Sequence, residues 1–214
     1  GTLFVAEGYT AGKTSGYHSA QADGSDGGGL YIFDPAGKPV VNPTTSGYRF
    51  YGEGLTHSNT YHTSTMGADF KNVAIADDGR IFVTRYNSSG DYILSAPSLE
   101  ELVKAGKFTT SLVAGMTMTD AIYKDAEGNF IVGPMHSFDA KGAGEDTKLI
   151  AMTRDVNNAA AGSTNNRVIE YALGEANVIA AGTPVAALDG KFTASYDKTA
   201  NVVYDNRGGI WYCQ

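Results

Sequence analysis

A single cysteine, Cys213, leaves the chain without an internal disulfide, so cysteine usage does not separate a reducing from an oxidising compartment. Beside Trp211 and with no histidine near it in sequence, Cys213 has the character of a strand residue and not of a nucleophile. Basic residues are scarce: 16 Lys and Arg stand against 23 Asp and Glu, for a net charge of -7. A nucleic-acid partner needs a basic face, and this balance argues against one. No run of eighteen apolar residues occurs, which excludes a transmembrane helix in this stretch. No charged-then-apolar leader opens the chain either, so any signal or lipid anchor is expected upstream of Gly1. There is no Gly-x-Ser-x-Gly nucleophile motif. Gly27-Gly28-Gly29 precedes a strand pattern and not a helix, which rules it out as a phosphate cradle.

Glycine and tyrosine are plentiful, at 27 and 13 residues, and this suits a turn-rich all-β chain. The clearest unit is residues 72–83, Asn-Val-Ala-Ile-Ala-Asp-Asp-Gly-Arg-Ile-Phe-Val. Two apolar segments flank an Asp-Asp-Gly turn, and the glycine supplies the positive φ that a tight hairpin requires. The pattern returns at residues 122–132 around Gly128 and at residues 201–212 around Gly208, the latter with the same Asn-Val start. Residues 1–5, Gly-Thr-Leu-Phe-Val, superpose on residues 79–83. Recurrence of one hairpin four times predicts a repeat protein with units of about 1–66, 67–118, 119–190 and 191–214.

With strands labelled a to d, the first repeat has b at 3–6, c at 30–33 and d near 48–51, with an Asp34-Pro35-Ala36-Gly37 turn after c. The second has a at 73–76, b at 81–85, c at 92–95 and d at 110–113. Between its c and d, residues 98–106 predict one short helix, from a Ser98 cap, an acidic first turn, apolar 99, 102 and 103, and a terminal Gly106. The third repeat has a at 121–124, b at 130–133 and c at 148–153, while 167–173 either resumes the sheet or doubles strand c. The fourth stops after strand b.

Residues 72–84 (Asn-Val-Ala-Ile-Ala-Asp-Asp-Gly-Arg-Ile-Phe-Val-Thr) and 29–38 (Gly-Leu-Tyr-Ile-Phe-Asp-Pro-Ala-Gly-Lys) resemble the first two strands, and the third strand with its turn, of a blade in the NHL-repeat and gluconolactonase-like β-propellers. The resemblance touches all four repeats and implies an all-β propeller of four-stranded antiparallel blades. A chain that begins at one strand b and ends after another has one strand b in surplus on closure. We therefore expect about four blades of a larger ring, within a longer polypeptide, the alternative being a complete four-bladed ring. Propellers host enzymes and binding platforms alike, so the resemblance speaks to fold more than to activity.

An antiparallel meander puts its b-to-c and d-to-a connections at one end and its a-to-b and c-to-d turns at the other. This assigns His18, His57, His62 and His136 to one face, together with Tyr17, Tyr61 and Tyr86. Such a face suits a glycan, with aromatic planes for the sugar ring and imidazoles for hydroxyls, or a protein partner. Long polar loops also contain such residues without any ligand. His57 and His62 are five apart in a loop pattern and lack the helical i, i+4 spacing of a zincin. The resemblance further implies a divalent cation such as calcium in a central channel, for which Glu7, Asn72, Asp120 and Asn201 are the candidates by position. For Asn72 and Asn201 the reading that needs no ligand, helping to turn the chain into strand a, is the stronger one. The expectation is a non-catalytic binding or scaffolding domain of an exported, cell-surface or periplasmic bacterial protein. The alternative is a metal-dependent lactonase, related hydrolase or sugar lyase.

Overall fold

The computed structural model describes residues 1–7, 29–44, 46–52, 70–87, 90–108, 110–111, 135–154, 166–173, 183–184 and 201–213. They form small, mainly antiparallel sheets with one short α-helix, and they divide into two compact units. Unit 1 comprises Gly1–Val73, Gly79–Ser88 and Ile93–Ser111, and unit 2 comprises Ala74–Asp78, Ser89–Tyr92 and Leu112–Gln214.

In unit 1, β1 (Leu3–Glu7) pairs antiparallel with β2 (Gly29–Phe33), which pairs with β3 (Arg49–Gly52). The turn after β2 is built as its sequence predicts. The Asp34 carboxylate accepts from the backbone N–H of Ala36 (2.9 Å) and Lys38 (2.8 Å), and Gly37 sits at φ 76° where a Cβ would be strained. A second sheet orders β4 (Phe70–Ile75), β5 (Ile81–Asn87), β6 (Gly90–Ala96) and β8 (Thr110–Ser111). Helix α1 (Leu99–Ala105) follows β6. Ser98 caps it by accepting from Glu101 N, Glu100 and Glu101 occupy the positive end of the dipole, and Gly106 ends it at φ 71°.

Alternation fixes which faces meet. Phe4, Ala6, Leu30, Ile32 and Phe50 lie on one face of the first sheet, because register places Phe4 opposite Ile32, and Leu30 opposite both Ala6 and Phe50. Phe70, Ile81, Val83, Leu94 and Ala96 belong to the second sheet, and all ten share one core with Leu102 and Phe108. Phe70 meets Phe108 edge to face, with centroids 5.6 Å apart. Burial of each such side chain contributes about 1.5–3 kcal/mol before conformational entropy is set against it.

One strand departs from the expected blade. The fourth strand of the first sheet is β7 (Lys107–Phe108), which runs parallel to β3 and comes from the segment after α1. The cause is the helix cap. Buried Asn42 donates from Nδ2 to the carbonyls of Arg49 and Gly106, each at 2.6 Å, and so ties the chain leaving α1 to the chain entering β3.

In unit 2 a four-stranded sheet has the order β12-β11-β10-β9: β9 (Met135–Lys141), β10 (Lys148–Arg154), β11 (Asn166–Ala172) and β12 (Thr183–Pro184). β10 is a strand where one is expected, at 148–153, but it takes the second place in its sheet, beside β9, a strand where the sequence predicts a connection following 130–133. The reason is Ser137 and Asp139, whose polarity breaks the apolar signal of β9; both bond to a neighbouring strand. β11 is a separate strand paired along all of β10, so residues 167–173 resume the sheet and do not double strand c. The strands expected at 121–124 and 130–133, and Gly128 with them, lie outside the described residues. β13 (Asn201–Tyr204) and β14 (Ile210–Cys213) form the last hairpin, and Val202, Tyr204 and Ile210 pack with Ile150 and Val168.

Candidate functional site

The two hairpins that carry the repeat adopt the same backbone at their glycines: Gly79 has φ 84° and Gly208 has φ 80°. Both positions are open, since a Cβ added at either would meet no atom within 4 Å, so it is the conformation that calls for glycine. Their side chains are used differently. Asp205 closes its own turn, accepting from Arg207 N (2.8 Å), Gly209 N (2.7 Å) and the Trp211 indole (3.0 Å). These donors, the indole first, hold its carboxyl below the usual carboxylate range, with Lys141 adding to the effect.

The first hairpin has Ala76 at the position of Asp205, and its carboxylates bond outward instead. Within unit 2, Asp77 accepts from Lys141 Nζ (3.2 Å) and Gly142 N (3.0 Å), its own N–H donates to the Gly142 carbonyl (2.9 Å), and Asp78 accepts from Gly144 N (2.9 Å). Carboxylates thus meet backbone N–H groups in the turn that follows β9, a segment that includes the 3-10 turn Gly144–Asp146.

A second polar set joins β9 to β13. Ser137 Oγ donates to the Val202 carbonyl (3.1 Å) and accepts from Val202 N (2.9 Å), while Asp139 accepts from Tyr204 N at 2.7 Å. Ser137 and Asp139 are two apart and so project from one face of β9; Val202 and Tyr204 are likewise two apart and present one edge of β13. The edge that β14 leaves open is therefore satisfied by side chains. The Tyr204 hydroxyl donates to Glu170 (2.8 Å), whose other oxygen meets Lys148 Nζ (3.0 Å). Burial, then Glu170 and Asp139, push the Tyr204 phenol well above its ordinary range, which keeps it a neutral donor.

Of the residues singled out in the sequence, Tyr17, His18, His57, Tyr61, His62 and Asp120 lie outside the described residues. Glu7 is the last residue of β1, Tyr86 the last but one of β5, His136 the second of β9 and Asn201 the first of β13. His136 is therefore in a strand and not in a connection. Relative to its own sheet, each of Tyr86, His136 and Asn201 is at the end away from the turn joining the first two strands. Asn72 lies mid-strand in β4, where its Nδ2 donates to Thr84 Oγ1 at 3.0 Å, and Asn201 is exposed. Among the described residues, no group of three or more His, Cys, Asp or Glu is placed to hold a metal ion, and no helix is long and apolar enough to cross a membrane.

Sequence reasoning missed Ser137, Asp139, Glu170 and Tyr204. The alternating polar residues of 137–141 were the available signal, and an alternating segment is a strand pattern whichever face is polar. Chemically, these described groups are donors and acceptors already matched to backbone or to one another, and they fix strands in place. No protein-family model matches the chain, and no curated protein matches it in sequence.

Proposed function

We propose that this chain is a β-propeller segment that works as a non-catalytic binding or scaffolding platform, on an exported or cell-surface bacterial protein. The observation that carries the reading is the repeated hairpin, with its left-handed glycine at 79 and again at 208 and its antiparallel partner strand each time. A propeller presents loops from one end of every blade, and Tyr86, His136 and Asn201 stand at that end of their respective sheets. Aromatic, imidazole and amide groups there suit a glycan or a protein partner. The Asn72 to Thr84 bond supports a structural role for Asn72 over a cation-ligand role.

Glycan-array binding followed by titration calorimetry, with and without calcium, tests this. Binding that Tyr86→Ala and His136→Ala weaken without altering the fold supports the platform. Calcium-dependent turnover of a lactone or cleavage of a polysaccharide, abolished by Asn72→Ala and Asn201→Ala, would replace it with the enzyme reading.

A further inference from the structure

Among the described residues, glycines at 37, 79, 106, 142, 144 and 208 adopt a positive φ, and only Gly79 has an aspartate directly before it. Asp78 and Gly79 are both exposed, and no atom lies within 4 Å of where a Cβ on Gly79 would be. A residue without a side chain, in an open turn, leaves its backbone nitrogen free to approach the carboxyl carbon of the residue before it. The surroundings restrain that carboxyl. Asp78 accepts from Gly144 N at 2.9 Å, and Asp77 beside it is held by Lys141 Nζ (3.2 Å), Gly142 N (3.0 Å) and the Gly142 carbonyl (2.9 Å), to which its own N–H donates.

We propose that Asp78 is a site of spontaneous conversion to isoaspartate through Gly79, and that this clasp onto the 142–144 turn sets the rate. The Gly79 nitrogen attacks Asp78 Cγ. A new N–Cγ bond forms while the Cγ–OH bond of the protonated carboxyl breaks, and the amide hydrogen leaves with that hydroxyl as water. Water then adds to the five-membered imide. Addition at Cγ restores the aspartate. Addition at the main-chain carbonyl carbon breaks its bond to the Gly79 nitrogen, so the chain now runs through Cγ and a carboxylate is left on the Asp78 Cα. The water lost in the first step is regained in the second, and no other reactant takes part.

A carboxylate bonded to Gly144 N, 66 residues away in sequence, is fixed in place, so ring closure waits for the clasp to open locally. Conversion then lengthens the main chain of the turn by one methylene and draws the carboxylate back onto Cα, away from the reach that the Gly144 bond requires. Each event therefore loosens the hold that slowed it. The Gly208 hairpin has Arg207 at the matching position and is not open to this chemistry.

Ageing the 214-residue chain for several weeks at mildly acidic pH, natively and in concentrated urea, tests the proposal. Trypsin cuts after Lys71 and Arg80, so electron-transfer fragmentation of residues 72–80 locates isoaspartate there, and the other Asp-Gly pairs, at 23, 26 and 189, fall in other peptides and outside the described residues. Isoaspartate at 78 is expected in the native chain at a rate about tenfold below that in urea, the factor that the net worth of about one hydrogen bond gives. Lys141→Ala should raise the native rate about fivefold, and Asp77→Asn, which weakens the same clasp, serves as the second variant should the first fail to fold. A native chain free of isoaspartate at 78 when the urea sample has it overturns the site. A native rate equal to that in urea, or one that neither variant changes, overturns the control by the clasp. Isoaspartate that persists in residues 72–80 of Asp78→Glu, where closure would need a six-membered ring, puts the reaction at Asp77 and also overturns the proposal.

Discussion

Removal of one hydroxyl, in Ser137→Ala, should destabilise unit 2 out of proportion to its size. Ser137 Oγ is both donor and acceptor to the same residue, with Val202 O at 3.1 Å and Val202 N at 2.9 Å, and Val202 is 0% exposed. Alanine leaves both backbone groups buried without a partner. An unsatisfied buried group costs about 1–3 kcal/mol, so two of them cost about 2–4 kcal/mol after partial relaxation. At about 2–4 °C per kcal/mol for a chain of this length, the melting temperature should fall by roughly 5–15 °C. Ser137→Thr keeps the hydroxyl and should recover much of the loss, and Asp139→Asn keeps an acceptor for Tyr204 N, so its cost should stay near 1 kcal/mol. Thermal melts followed by far-ultraviolet circular dichroism give the stability, and hydrogen exchange at the Val202 and Tyr204 amides localises it. If Ser137→Ala melts within about 2 °C of wild type with unchanged protection at Val202, less than the loss of even one buried bond would give, the edge of β13 is satisfied some other way and the account is wrong.

The glycines give a contrast. Gly79→Ala meets open space and suffers only the positive φ, about 1–2 kcal/mol, whereas at Gly106 a Cβ also runs into Asn42 and Thr44, so Gly106→Ala should cost clearly more in the same denaturant titration. Alkaline stability should report on Tyr204: its raised pKa favours the protonated form in the fold, so the contribution is complete below the ordinary value of 10.0 and is lost as pH rises beyond it. The difference in stability between wild type and Tyr204→Phe should therefore shrink above that pH. Asp205 has the opposite sign, its lowered pKa giving a contribution present above the ordinary 3.8 and lost as pH falls below it. Trp211 emission should change with a midpoint under 3.8, and Asp205→Ala should abolish that transition.

How much of this was legible in the sequence varied with how local the determinant was. Helix α1 was fully readable, since Ser98, Glu100, Glu101 and Gly106 each act within one turn of their own position. The Asp34 turn and the hairpins at Gly79 and Gly208 were readable for the same reason. β9 was not, because its polar residues are explained by β13, some 65 residues later, and no local rule reaches that far. Nor was the parallel pairing of β7 with β3, which rests on an asparagine 64 residues from the carbonyl it holds. Among the candidate site residues, Tyr86 and Asn201 fall near strand ends, as the strand patterns of 81–85 and 201–204 imply. The sequence predicts a connection at His136, which is instead near the start of a strand, because the determinants of β9 are not local.

The two turns that carry aspartate at their first position, Asp34 and Asp205, show how the repeat was able to diverge without losing its backbone. Each accepts from the N–H groups two and four residues ahead, and each is followed three residues on by a glycine of positive φ. Such a turn is satisfied by itself and leaves its outer surface free to vary. The Gly79 turn keeps the glycine but has Ala76 in place of the first aspartate, and so cannot close in that way. Its two carboxylates, Asp77 and Asp78, stand one and two places further along, where they reach Lys141, Gly142 and Gly144. With its carboxylates displaced by one residue, the turn is not self-capped and is held instead through Lys141 and the backbone N–H groups of Gly142 and Gly144.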